Sequence, residues 1–144
     1  MAKYSSETTI NVPPERVFEY VADMTRHGEW GDHGLQVTRT SAGDGLGATY
    51  SSTAKSFGTQ NETQVVVQHD PPRRFAFDAT GSLGVAHHVF EIEPSGSGAR
   101  VTKSMELTKP SFLARVMSPM IGRQQRPGLQ QDLARIKERL EGGA

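Results

Sequence analysis

SFLARVMSPMIGRQQRPGLQQDLARIKERL, residues 111–140, carries most of the late apolar side chains and none of the alternation of a β-strand. Phe112, Leu113, Val116, Met117, Met120 and Ile121 recur at steps of three and four, and so do Leu129, Leu133, Ile136 and Leu140. That spacing places each set on one face of a helix. Ser111 is a capping residue at the start, and Gly142-Gly143 ends the run. At about 100° per residue the two stripes lie nearly opposite each other, with Pro127-Gly128 between them. A proline inside a helix removes a backbone bond and kinks the axis, and Pro119 does the same on a smaller scale. The expectation is therefore a bend or break between Gln124 and Leu129. Met117 and Met120, flexible and polarizable, suit either core filling or the wall of a ligand cavity.

Upstream of Lys109 the chain reads mostly as strands. Tyr4, Ser6, Thr8, Ile10 and Val12 share one side of a strand that Pro13-Pro14 stops. Val17, Phe18 and Val21 form the apolar face of a short helix, and a second short helical turn begins at Asp23. Six strands then follow at short spacing: Gln36–Thr40, Ala48–Phe57, Asn61–His69, Arg73–Thr80, Val85–Glu93 and Arg100–Thr108. Gly-, Pro- and Asp-rich turns separate them. Consecutive strands joined by tight turns predict an antiparallel meander with one wet and one apolar face. The last helix is the element that covers the apolar face. The fold class is α+β, a single domain over residues 1–144.

Composition narrows the function. Lys+Arg and Asp+Glu stand at 16 each, so the formal net charge is zero. Bulk charge does not drive this chain onto nucleic acid. Arg115, Arg123, Arg126, Arg135, Lys137 and Arg139 still make the last helix locally basic, most simply as a solvated face. There is no cysteine, hence no disulfide or thiol chemistry. The first residues lack the apolar run of a signal peptide, and no window approaches the ~18 apolar residues of a membrane span. The expected location is cytoplasmic, without stable membrane insertion. A homodimer is left open.

Val12-Pro13-Pro14-Glu15-Arg16-Val17-Phe18-Glu19-Tyr20-Val21-Ala22-Asp23, followed by Trp30, resembles a known family, as do Asp70-Pro71-Pro72-Arg73-Arg74-Phe75 and Asp132-Leu133-Ala134-Arg135-Ile136-Lys137. That family is the polyketide cyclase/dehydrase and lipid-transport branch of the START-like, or SRPBCC, superfamily. The resemblance implies the helix-grip (START/Bet v 1-like) fold: a curved seven-stranded antiparallel sheet around a long C-terminal helix, with two short helices closing one end and a cavity between sheet and helix. It also implies a hydrophobic small-molecule partner, lipid-like or polycyclic. Some relatives cyclise or dehydrate polyketides.

Candidate site residues come from strand faces. His88 shares a face with Phe90 and Ile92, so its ring is aimed at the helix, where a histidine can act as general acid or base. More often such a histidine is satisfied by a backbone carbonyl, and a bulge would turn His87 inward instead. Lys103 lies on a face with Val101, Met105 and Leu107. Buried, it needs an anionic partner; the commoner outcome is an ammonium snorkelling to water. Trp30 reads as a lid or wall residue. His27, Glu29, Asp32 and His33 around it do not match a zinc spacing, so no metal is expected. Tyr50 and its Ser/Thr-rich strand can supply polar contacts. Phe75, Phe77, Phe90, Met105, Met117 and Met120 are expected to surround an internal pocket. No nucleophilic triad, phosphate loop or cofactor fingerprint stands out, and no cofactor is expected. Three functions follow: a carrier of a hydrophobic ligand, a cyclase or dehydratase using His88, or a non-enzymatic interaction module using the basic last helix or a sheet edge.

Overall fold

Seven strands form one antiparallel sheet in the order β1-β7-β6-β5-β4-β3-β2. The computed structural model describes residues 3–31, 33–55 and 58–143. β1 spans Lys3–Ile10, and α1, Pro14–Ala22, follows after Pro13. Pro14 in the first turn of α1 loses no helical bond, because the first N–H groups have no intrahelical partner. A 3-10 helix, Met24–Glu29, comes next, capped by the Asp23 carboxylate, which accepts from the Thr25 N–H at 3.2 Å. The meander is β2 (Gln36–Arg39), β3 (Thr49–Lys55), β4 (Thr59–Asp70), β5 (Arg74–Gly81), β6 (Gly84–Ser95) and β7 (Gly98–Pro110). Two helices close the chain, α2 (Phe112–Val116) and α3 (Ser118–Glu141). All seven strands expected from the turn rhythm are present. Ser56 and Phe57, at the expected end of the second meander strand, lie outside the described residues.

The registers set the inner face. Phe77, His88, Met105 and Tyr4 lie in one row across β5, β6, β7 and β1, and Phe75, Phe90, Lys103 and Ser6 in the next. Against this face α3 buries Ile121, Leu129, Leu133, Ile136 and Leu140. The main core joins Leu133, Ile136 and Leu140 to Phe75, Phe90, Ile92 and the α1 residues Val17 and Val21. A smaller one joins Ile121 and Leu129 to Tyr4, Met105 and Leu107. Among the described residues no helix is long and apolar enough to cross a membrane.

Of the bend or break expected between Gln124 and Leu129, the break is absent: α3 runs unbroken over Ser118–Glu141 with Pro127 inside it. The chain breaks instead at Met117, between α2 and α3. Two physical reasons account for this. Pro119 falls in the first turn of α3, where a missing N–H costs nothing. Pro127 and Arg123, the residue whose carbonyl loses its donor, both face solvent, so water can take the bond. The switch of apolar face is met by leaving the first stripe largely unpacked. Phe112, Leu113, Val116 and Met120 are exposed at 82%, 45%, 62% and 49%.

Replacing Pro127 with alanine restores the donor without touching the core, and is expected to raise stability by about 1–3 kcal/mol. Leu133→Ala, at a side chain 1% exposed, is expected to lower it by about 2–5 kcal/mol. Urea midpoints read both, and a destabilised Pro127→Ala protein would mean that the proline shapes the helix rather than straining it.

Candidate functional site

Between the sheet and α3, toward the β3–β4 side, two adjoining cavities remain, of about 200 Å³ and 330 Å³. His33, Glu62, Gln124 and Gln125 border both. The inner one is walled by Trp30, His27, Phe77, His88, Gln64 and Lys103. The outer one is walled by Leu83, Leu113, Met117 and Ile121.

The inner wall draws inward-facing residues from four neighbouring strands, β4 to β7. His88 stacks on its cross-strand neighbour Phe77, ring centres 4.7 Å apart and 8° from parallel. The β6–β7 register shift falls at Val85–Ala86, before the histidine pair, so His88 keeps the inner face. His87 bonds Asp78 instead, Nδ1 to Oδ1 at 2.6 Å. The His88 Nδ1 is buried with no hydrogen-bond partner among the described residues, and the same holds for Trp30 Nε1 and Gln64 Oε1. Gln64 is held in place by its amide N–H, which donates to Ser52 Oγ at 2.6 Å.

Lys103 does not snorkel to water. Its side chain is 6% exposed, and the ammonium donates to Asp132 Oδ2 at 3.2 Å. It also lies 4.8 Å from the Trp30 ring centre and 5.4 Å from that of Phe90, so two aromatic faces share the charge. Asp132 accepts from Arg135 at 3.0 Å, and Arg135 Nε donates to the Trp30 carbonyl at 2.6 Å. One polar chain thus links the sheet, α3 and the loop after the 3-10 helix.

Three titratable groups on the wall are shifted. Burial pushes His27 down to about 4, against the pull of the Val21 carbonyl that accepts from its Nε2 at 2.8 Å. Burial, then the Lys103 charge, pushes His88 well below the ordinary histidine range. Burial raises the Glu62 carboxyl. Glu62 fits only because residue 81 is glycine: a Cβ there would lie 2.8 Å from Glu62 Cγ. At neutral pH the wall therefore offers two neutral imidazoles, an indole donor and an amide acceptor beside a carboxyl that holds its proton more tightly than usual.

Of the residues singled out in the sequence, Trp30, Phe77, His88 and Lys103 line the inner cavity and Met117 the outer one. The expected ring of Phe75, Phe77, Phe90, Met105, Met117 and Met120 does not form. Phe75, Phe90 and Met105, at 0%, 0% and 4% exposure, are closed into the two cores, and Met120 points to solvent. Tyr50, 2% exposed, is core as well. Phe75, Phe90 and Met105 are packed into the cores with α3 residues, and space survives beside Ala79, Gln64 and Glu62, with Phe77 and His88 on its border. Asp32 lies outside the described residues. Nearby, Glu29 is engaged by Tyr20 and Arg26 and His27 by Val21, so neither stands ready for a metal. Sequence reading missed Glu62, Gln64 and Asp132. The signal for the first two was the alternation that runs back from Val66 along β4.

A seven-stranded antiparallel sheet gripping a C-terminal helix is the helix-grip, Bet v 1-like architecture. The chain belongs to the polyketide cyclase / dehydrase and lipid transport family, whose model matches residues 1–141. Among solved structures, it is similar to TTHA0849 from Thermus thermophilus (TM-score 0.79, 19% identity, covering 99% of this chain and 100% of that one). It is also similar to a protein from Arthrobacter aurescens (TM-score 0.76, 17% identity, 99% and 87% covered). A third is CV1439 from Chromobacterium violaceum (TM-score 0.73, 16% identity, 95% and 96% covered). No curated protein matches the sequence.

The His27 shift makes stability depend on pH. Its folded pKa, about 4, lies below the ordinary 6.5, so between these values the unfolded chain binds a proton that the folded one refuses. Stability therefore falls as pH drops from about 6.5 toward 4, with His27 contributing about 2 kcal/mol of the loss at pH 5. His88 acts in the same direction and Glu62 in the opposite one. His27→Gln keeps a donor for Val21 and is expected to remove about 2 kcal/mol from the stability difference between pH 7.5 and pH 5, measured by urea unfolding. An unchanged difference would remove His27 from this role.

Proposed function

We propose that the protein binds a small, mostly apolar molecule with a polar end in the paired cavities between sheet and α3. The observation that carries this is that three residues lining one cavity each hold a buried polar atom without a partner among the described residues: Trp30 Nε1, His88 Nδ1 and Gln64 Oε1. Buried polar groups without partners are rare and costly, and a ligand that meets them relieves the cost. The polar end belongs at this wall. The apolar body extends toward Met117, Leu83 and Ile121 in the outer cavity. A polycyclic or polyketide-like skeleton suits such a space, and the family's description, which names polyketide cyclases and lipid transport, supports that class. A cytoplasmic setting and no nucleic-acid partner go with this reading.

A second reading is catalytic. A neutral His88 can take a proton from carbon next to a carbonyl, and the Glu62 carboxyl, which burial makes hold its proton more tightly than usual, can give one to a departing hydroxyl, which together would close or dehydrate a polyketide-like ring. The opposed shifts of these two groups on one wall favour it.

Trp30 is the single tryptophan of the chain and stands in the inner cavity, which makes binding visible. Titration with the apolar fluorophore 1-anilinonaphthalene-8-sulfonate is expected to quench Trp30 by energy transfer at one probe per chain. Ala79→Leu, which fills the inner cavity, is expected to weaken the probe at least tenfold. Saturation without quenching, or an Ala79→Leu protein that binds as well as the parent, would sink the cavity reading. His88→Gln separates the two functions once a ligand is identified by native mass spectrometry of protein from its own host. A carrier keeps its affinity within a few fold, whereas a catalyst loses roughly 10²–10⁴ in turnover with binding intact.

A further inference from the structure

Six large hydrophobic side chains are exposed among the described residues, and four of them, Phe112, Leu113, Val116 and Met120, fall within nine positions. Phe112, at 82%, is the most exposed of all. Phe112 and Val116 are one helical turn apart on α2, with Arg115 beside them. The charge of this region is one-sided. From Leu107 to Gln131 there is no Asp or Glu, while Lys109, Arg115, Arg123 and Arg126 are all exposed, in a chain whose net charge is zero. Lys109, Arg115 and Arg123 form no ion pair with any described residue. The segment is not loose packing. Ser111 caps α2 and also donates from its hydroxyl to the Ser82 carbonyl at 2.7 Å, while its N–H donates to the Leu83 carbonyl at 3.1 Å. Gly84 makes this seam close, since its φ of +99° and the Lys109 carbonyl oxygen against the place of any Cβ exclude other residues. The apolar side chains are thus held outward on a fixed frame.

We propose that α2 and the first turn of α3 form a docking surface for an anionic lipid membrane, with Phe112, Val116 and Met120 entering the interface and Lys109, Arg115 and Arg123 meeting the headgroups. Exposed apolar side chains interspersed along the chain with exposed cations and no acid are what interfacial binding needs. Charge decides against a second copy of the chain. On a two-fold interface each patch meets itself, so these cations would face their own images. Position adds to the case. Leu113 belongs both to this surface and to the wall of the outer cavity, so docking sets the cavity beside the lipid. The surface does not depend on the cavity holding a ligand.

Co-sedimentation with vesicles tests it, using phosphatidylcholine alone and phosphatidylcholine mixed with phosphatidylserine. The protein is expected to bind the mixed vesicles, to prefer them over neutral ones at least tenfold, and to lose affinity as salt rises. Phe112→Asp is expected to weaken binding roughly tenfold or more, and Arg115→Glu with Arg123→Glu by roughly fivefold per charge. These side chains are exposed, so thermal melting should be unchanged in every variant. Absence of binding to mixed vesicles overturns the proposal. So does binding that Phe112→Asp leaves intact. Sedimentation velocity covers the remaining case: a dimer that Phe112→Asp dissociates, together with no vesicle binding, would assign the surface to self-association and overturn the membrane.

Discussion

A charged pair inside the grip constrains everything around it. Lys103 rises from the middle of β7 and meets Asp132 on α3, with both side chains largely closed to water. Such a pair adds little stability over an apolar pair of the same shape, because two ions lose their hydration. Removing one partner alone is another matter, since the survivor is left in a poor dielectric. What the pair fixes is the rotation of the helix. One residue along α3 is about 100° of turn, so any other phase carries Asp132 away from the ammonium. With that phase set, Leu133 and Ile136 reach the main core, and Arg135 reaches the carbonyl of Trp30. The indole is then held over the lysine and becomes a wall of the cavity.

The cavity is a remainder rather than a designed hollow. Phe75, Phe90 and Met105 fill the space between the central strands and the helix. Toward β3 and β4 the inner face carries short or polar side chains, and α3 has moved out of reach. The space left there is lined by groups that do not satisfy one another in this structure. The indole offers a donor, the Gln64 oxygen an acceptor, and the imidazole Nδ1 is buried with no partner among the described residues. This combination gives the site its chemical character more than its volume does.

Strand number, order of elements and the packing stripe Leu129-Leu133-Ile136-Leu140 were legible in the sequence, because period-two alternation and Gly/Pro turns are local signals. His88 was legible for the same reason, since its face follows from Phe90 and Ile92. The rest depended on geometry between distant parts. Asp132 lies 29 residues from Lys103, and nothing local marks it as the partner. Phe75 and Phe90 share a face with His88, yet whether a side chain on that face touches helix or void depends on where the helix crosses. Met120 misled because its helical phase was counted through Met117, where the chain in fact breaks. Pro127 does not end the helix because its cost depends on solvent at the orphaned carbonyl, and the sequence does not display solvent.

The side chains that hold the helix and those that line the space beside it are largely different residues. Leu129, Leu133, Ile136 and Leu140 face the filled half of the sheet. Leu35, Glu62, Gln64 and Ala79 line the hollow instead. Substitutions in the second group change the shape and polarity of the hollow while leaving the grip intact. A lineage built on this plan can wander through many ligands without passing through an unfolded ancestor. That freedom follows from geometry alone: an arched sheet is wider than the one helix it holds.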